Sequence, residues 1–136
     1  MTEENSTDHS AQIAIALMMA NLLFVVFLAI PYIALVLFYL WRAPKVSSLT
    51  RCHMLQALLA ATVTTAIYYA ITIFFDISII NLATGGAKEI PMHSIIALEA
   101  YFILVVPAFM GLGIFALNRA IRGEAFRYPL IGRWVC

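Results

Sequence analysis

The sequence predicts an all-α integral membrane protein, a bundle of three transmembrane helices of which the first is long and kinked. Three apolar segments fill most of the 136 residues, at Ala11–Trp41, Leu55–Phe75 and Ile95–Leu117. Each is long enough, because a helix needs about 20 apolar residues to cross a bilayer core. Hydrophobic residues make up 64% and charged residues 11% of the chain, which is too little polar surface for a water-soluble domain. The chain therefore divides into a polar head (1–10), a membrane domain (11–117) and a basic aromatic tail (118–136).

The first segment, Ala11–Trp41, is longer than one bilayer crossing requires. As one straight helix, its 31 residues would extend about 46 Å. Pro31 lies inside the segment and removes a backbone hydrogen bond, which kinks a helix. We expect one tilted, kinked span. The alternative is a short re-entrant or interfacial piece at Ala11–Asn21, followed by a separate span that ends at Trp41.

The end of the first segment and the start of the second carry helix-boundary signals. Trp41 and Arg42 form an interface pair, an amphipathic ring followed by a cation at headgroup level. Pro44 disfavours helical geometry at the residue before it, and Ser47 or Ser48 can cap the next helix. We therefore expect the second helix to begin at the membrane edge, ahead of its apolar part.

Small residues lie along the second and third spans. Ala57 and Ala61 are four residues apart in the second span, and Gly111 and Gly113 lie in the third. Small residues let helix backbones approach closely in a membrane. We expect these four positions to pack against other helices, and Pro107 to kink the third span.

Basic residues concentrate in the first loop and in the tail. The loop Arg42–Arg51 contains three of the eight Lys and Arg residues and the tail contains four, whereas the head contains three acidic residues and no basic one. Lys and Arg are retained on the cytoplasmic side during insertion. We therefore expect a multi-pass protein of the bacterial inner membrane, with its N-terminus outside and its C-terminus in the cytoplasm.

This topology sets the expected surroundings of the tail and of the two cysteines. Four arginines beside Phe126, Tyr128 and Trp134 favour contact with membrane lipid at headgroup level. Nucleic acid is not an expected partner, because its binding requires a denser basic cluster. Cys52 and Cys136 both fall on the predicted cytoplasmic side, where disulfides are rare, so we expect two free thiols.

Motifs for catalysis, for a metal or for a cofactor are absent from the sequence. It contains no nucleophile elbow and no phosphate-binding loop. Its histidines are His9, His53 and His93, all at or outside the predicted membrane boundaries, where they cannot ligate a haem inside the bundle. We therefore expect no catalytic residue, no metal ligand and no cofactor.

Asn21 and Glu99 are the polar candidates within the membrane. Glu99 is the only acidic residue inside a predicted span, and such residues are functional candidates by default. It lies about one helical turn from the outer end, where contact with water costs little. We expect a structural partnership with Asn21, Tyr68 or Tyr69. The alternative is transport of a proton or cation through Glu99.

Two stretches together resemble a known family. The first comprises Trp41–Val46 and Arg51–Leu58, and the second is Arg119–Leu130. They resemble a family of small bacterial membrane proteins of unknown function, which is distantly similar to the channel-type subunit of the chloroplast inner-envelope protein import translocon. In that family a His precedes an Ala-Leu pair, and the chain closes on Gly-Glu, aromatic residues and Tyr-Pro-Leu. The matching residues here are His53, Ala57, Leu58, Gly123, Glu124, Phe126, Tyr128, Pro129 and Leu130.

Both family motifs fall on the predicted cytoplasmic face. We expect their polar residues to form a clasp that ties the tail to the start of the second span. These residues are His53, Gln56, Glu124 and Tyr128. The resemblance implies a fold and a topology, but it implies no reaction.

We expect a non-enzymatic accessory or assembly subunit of a membrane complex. It would associate with itself or with another membrane protein, because three helices form a bundle too thin to enclose a pore. The alternative is an oligomeric pore or transport component. Such a pore needs a polar stripe along one helix, and Thr62, Thr65 and Tyr69 form the only candidate.

Overall fold

The computed structural model describes residues 9–24, 30–86, 89 and 91–127. Within them the chain is helical apart from its turns and contains no strand, which confirms the all-α prediction. The helices are α1 (Ser10–Phe24), α2 (Ile30–Arg42), α3 (Ser48–Ala83), α4 (Met92–Ala100) and α5 (Val106–Ile121). A short 3₁₀ turn at Ala43–Lys45 precedes α3, and a π-helical turn at Tyr101–Val105 joins α4 to α5.

Within the described residues, two helices are long and apolar enough to cross a membrane. They are α3, with 36 residues, and the continuous α4–α5 helix, with 30. The two run antiparallel, because Ser78 Oγ lies 3.4 Å from Ser94 Oγ while Tyr101 Oη donates to the Thr64 carbonyl at 3.3 Å. The π-helical turn lies just before Pro107, whose missing N–H interrupts regular α-helical bonding.

The first apolar segment is a pair of antiparallel helices, not one kinked span. Arg42 Nε, at the end of α2, donates to Ser10 Oγ, at the start of α1, over 3.1 Å. The 15 residues of α1 and the 13 of α2 extend only about 22 and 20 Å. Pro31 lies in the first turn of α2 instead of kinking a longer helix, and a proline is tolerated there because first-turn N–H groups have no intrahelical acceptor. We call Ser10–Arg42 the N-terminal hairpin; its residues 25–29 lie outside the described part.

The N-terminal hairpin places the start of α1 beside the first loop and the tail. A cavity at this end is lined by Gln12 from α1, Thr50 from α3 and Gly123, which follows α5. Every Lys and Arg of the described ranges belongs to this end of the bundle, which we call the basic end. The described start of the chain therefore lies at the same end of the bundle as residues 118–127, whereas the sequence predicted opposite ends.

Helix α1 lies at the centre of the packing, in contact with α2, α3 and α5. The buried core joins side chains from all four of these helices. It comprises Ala14, Ile15, Met18, Leu35, Met54, Ala57, Ala60, Ala61 and Ala116. Ala57 and Ala61, two of the predicted packing positions, thus pack against other helices of the same chain. Their small side chains allow α1 to approach α3 closely.

The two predicted packing glycines of α5 have different surroundings. A Cβ atom at Gly113 would lie 2.9 Å from Met18 Cε and from Met19 Cγ. A Cβ atom at Gly111 would meet nothing within 4 Å. Gly113 therefore lets α1 pack on α5, whereas Gly111 leaves a gap on the surface of the described chain.

Candidate functional site at the basic end

The start of α3 organises the basic end. Ser47 is the N-cap of α3, and its Oγ accepts from Thr50 N at 3.2 Å, as one of the two predicted caps. The Ser47 carbonyl accepts from Arg51 N at 2.9 Å, and Arg51 Nε donates to the Ala43 carbonyl at 2.8 Å. These bonds fix the first turn of α3 against the 3₁₀ turn, so that Arg51 and His53 take defined positions.

His53 joins α3 to the residues that follow α5. Its Nε2 donates to the Glu124 carbonyl oxygen at 3.1 Å, and the side chain is only 3% exposed. The Glu124 carboxylate instead forms an ion pair with Arg119 at 2.7 Å. The clasp thus contains His53 and the Glu124 backbone, while its fourth predicted member, Tyr128, lies outside the described residues.

Gln56 contacts a neighbour on its own helix. Its Nε2 donates to Cys52 Sγ at 3.2 Å, and the side chain is fully buried. Cys52 is disulfide-bonded, so the expectation of a free thiol at this position was wrong. That expectation came from the assigned compartment alone, which says nothing about which sulfur atoms the fold brings together. Cys136 lies outside the described residues.

A small cavity of about 200 Å³ adjoins His53. Its lining includes Gln12 from α1, Thr50 from α3 and Ala120 from α5. His53 Nδ1 is buried and has no hydrogen-bond partner within the described ranges. A buried acceptor without a partner costs about 1–3 kcal/mol.

A larger cavity of about 430 Å³ lies on another side of the first turns of α3. Two arginines, Arg51 and Arg127, contribute its charged lining. Its apolar lining includes Leu49, Leu55 and Phe126. The sequence alone did not indicate that these two arginines meet, although each lies within one of the two family-like stretches.

Asn21 pairs with α3 and not with Glu99. Its Nδ2 donates to Thr65 Oγ1 at 2.8 Å, and both side chains are buried. Asn21 Oδ1 has no hydrogen-bond partner in the described part of the chain. Nearby, Tyr32 Oη lies 3.1 Å from Thr62 Oγ1. The N-terminal hairpin therefore covers the middle of the predicted Thr62, Thr65 and Tyr69 stripe, so Thr65 does not face an open surface.

Glu99 is exposed on α4. No hydrogen bond or ion pair to it is formed by any other described residue. Tyr68, one of its predicted partners, instead packs against Tyr101, with ring centroids 5.4 Å apart. The expected structural partnership of Glu99 is therefore not formed within the described chain.

No protein family, curated protein or solved structure matches this chain. Among the residues that the structure describes, no group of three or more His, Cys, Asp or Glu side chains is placed to hold a metal ion.

Proposed function

We propose that this chain is a multi-pass protein of the bacterial inner membrane that acts as an accessory or assembly subunit, without chemistry of its own. The two long apolar helices support insertion in a bilayer. Of their most apolar windows, only 28% in α3 and 17% in α4–α5 is buried within the chain. Most of each helix is therefore available to lipid or to another membrane protein.

The orientation that we propose places the basic end in the cytoplasm. All Lys and Arg residues of the described ranges lie there, and such residues are retained on the cytoplasmic side. The disulfide of Cys52 at this end is unusual for a reducing compartment. The cations support this orientation because they act during insertion, before the chain folds and a disulfide can form.

The proposal of association depends on the exposed position of Glu99 on α4. Exposed apolar side chains surround it at helical spacing, among them Ile95, Ile96, Phe102 and Ile103. An acidic residue facing hydrocarbon costs up to about 3 kcal/mol at the centre of a membrane helix, and less towards its ends. A hydrogen-bond donor from a second membrane protein or a second copy would remove that cost.

The test compares Glu99→Gln with Glu89→Gln, which removes another exposed carboxylate outside the helices. Size in mild detergent and crosslinking in native membranes report the complex. We expect wild type and Glu89→Gln to form it and Glu99→Gln to form less, because Gln keeps the size but not the charge. A wild-type chain that stays monomeric and without a partner in both measurements contradicts the proposal.

The alternative, an oligomeric pore or transport component, has one supporting observation. Helices α1 and α2 extend only about 22 and 20 Å, less than a bilayer core of about 30 Å, and the polar groups of Asn21 and Thr65 are buried between α1 and α3. Re-entrant segments are tolerated where protein or a water-filled cavity surrounds them. The hydrogen bond from Asn21 to Thr65 argues against a continuous polar stripe along α3, because Thr65 is buried inside the chain. Ion flux into vesicles that contain the purified chain would support this alternative.

A further inference from the structure

We propose that the larger cavity at the basic end binds the phosphate headgroup of an anionic phospholipid, through Arg51 and Arg127. The cavity measures about 430 Å³, and the two arginines lie on its lining together with Ser48. They are 76 positions apart in the sequence, so that only the folded chain brings them to one cavity. The proposal concerns a ligand and is independent of whether the chain acts as a subunit.

The two arginines supply charge that the described chain does not neutralise. The one ion pair recorded among the described residues joins Arg119 to Glu124, and neither residue lines this cavity. Arg51 uses its Nε to hold the Ala43 carbonyl, which leaves its terminal nitrogens for another acceptor. A guanidinium can bind a phosphate through two parallel hydrogen bonds, so each arginine suits one phosphate group.

Two further features of α3 favour an anion in this cavity. Ser48 contributes a hydroxyl group to the lining, and Ser48 and Leu49 form the first turn of α3 after the cap at Ser47. Amide groups of a first turn have no intrahelical acceptor and attract negative charge. The Ser48 hydroxyl and these amide groups add to the attraction of the two arginines for an anion, but they would not define a site without the arginines.

The apolar part of the lining distinguishes a lipid from a free anion. Leu49, Leu55 and Phe126 lie on the same cavity as the two arginines. Leu55 begins the apolar stretch of α3, so the cavity lies where headgroups meet hydrocarbon in the proposed orientation. A phosphodiester would meet the arginines while the start of an acyl chain contacts the apolar side chains, an arrangement that inorganic phosphate cannot use.

The surroundings of the Trp41 ring also support a position of the basic end at the level of the lipid headgroups. Its centroid lies 5.6 Å from the Arg42 guanidinium carbon and 5.3 Å from Lys45 Nζ. Tryptophan rings with adjacent cations are typical of the membrane–water interface. Clusters of Lys and Arg on the cytoplasmic side attract anionic lipids. The basic end therefore combines general attraction for such lipids with one shaped cavity.

The test measures lipid binding to the purified full chain by native mass spectrometry and by thermal stability in detergent. The probes are phosphatidylglycerol, phosphatidylcholine and inorganic phosphate. We compare wild type with Arg51→Gln/Arg127→Gln and with Arg122→Gln, which removes an exposed arginine outside the cavity. Arg51→Lys/Arg127→Lys serves as a second variant, since it keeps the charge but loses the two-pronged geometry.

We expect phosphatidylglycerol to bind and stabilise wild type and Arg122→Gln, and phosphatidylcholine to do neither. The double Gln variant should bind more weakly by about tenfold for each arginine removed, and the double Lys variant should bind at an intermediate level. Equal binding of the two lipids, or equal effects of the double Gln variant and Arg122→Gln, would overturn the proposal. If inorganic phosphate alone stabilised the chain as much as phosphatidylglycerol does, the cavity would be a simple anion site and the lipid proposal would be wrong.

Discussion

Gly113 and Gly111 offer a direct test of how α5 packs, through the paired substitutions Gly113→Leu and Gly111→Leu. The two glycines lie on one helix two residues apart, and both changes add the same side chain. At Gly113 the first added atom already comes within 2.9 Å of Met18 Cε and Met19 Cγ. At Gly111 the added side chain enters open space.

The expected magnitudes follow from the two environments. Leucine exceeds glycine in helix propensity by somewhat less than about 1 kcal/mol, which both variants gain. Overpacking of a filled site costs about 1–3 kcal/mol. At Gly113 it is more severe than usual, because Met18 is fully buried and three more carbons follow the Cβ. We therefore expect Gly113→Leu to destabilise the monomer by about 1–2 kcal/mol and Gly111→Leu to leave it unchanged or slightly more stable.

Thermal unfolding in mild detergent, followed by circular dichroism, measures these differences. Gly113→Ala should fall between wild type and Gly113→Leu, since the methionine side chains can move away from a single methyl group. Crosslinking in native membranes adds a second measurement: Gly111→Leu should weaken the complex although the monomer stays folded, because a small residue on an open helix surface favours close association. If Gly113→Leu proves as stable as Gly111→Leu, the packing of α1 on α5 is not as described.

Three further predictions concern the clasp, the buried polar pair and the hairpin. His53→Ala should lower the free energy of unfolding by about 0.5–1.5 kcal/mol, because the tail loses its hydrogen bond to α3; faster trypsin cleavage of the tail reports this, and unchanged cleavage argues against a clasp. Thr65→Val should cost about 0.6 kcal/mol or somewhat more, because it leaves the Asn21 amide unpaired. Asn21→Leu/Thr65→Val should cost less than the sum of the two single changes, and strict additivity in thermal unfolding would mean that the pair does not interact. In a cysteine-free background, Gly86→Cys should react with an impermeant thiol reagent in intact cells and His9→Cys only after permeabilisation. Reaction of His9→Cys in intact cells would restore a three-span topology.

Hydropathy was sufficient to predict the two long helices. The segments that begin at Leu55 and Ile95 lie inside α3 and α4–α5, because an unbroken apolar stretch of that length satisfies its backbone in lipid only as a helix. Local chemistry also predicted the cap at Ser47, since a serine hydroxyl can accept from the free amides of a first turn. These features depend on residues within a few positions of one another.

The direction of the first segment could not be predicted in the same way. Ala11–Trp41 has the same apolar composition whether it crosses once or turns back, and Pro31 is compatible with a kink or with a helix start. The bond between Ser10 and Arg42 joins positions 32 apart, and only contacts of that range separate the two arrangements. The same contacts place the start of α1 at the basic end of the bundle.

The sequence by itself determined the all-helical class, the long apolar helices and the concentration of cations in two segments, because these follow from local composition. The tertiary structure decided which groups meet. It paired Asn21 with Thr65, left Glu99 exposed, and brought Arg51 and Arg127 to one cavity. Such pairings depend on the direction and rotation of each helix, which are set by packing over the whole bundle and leave no trace in neighbouring residues.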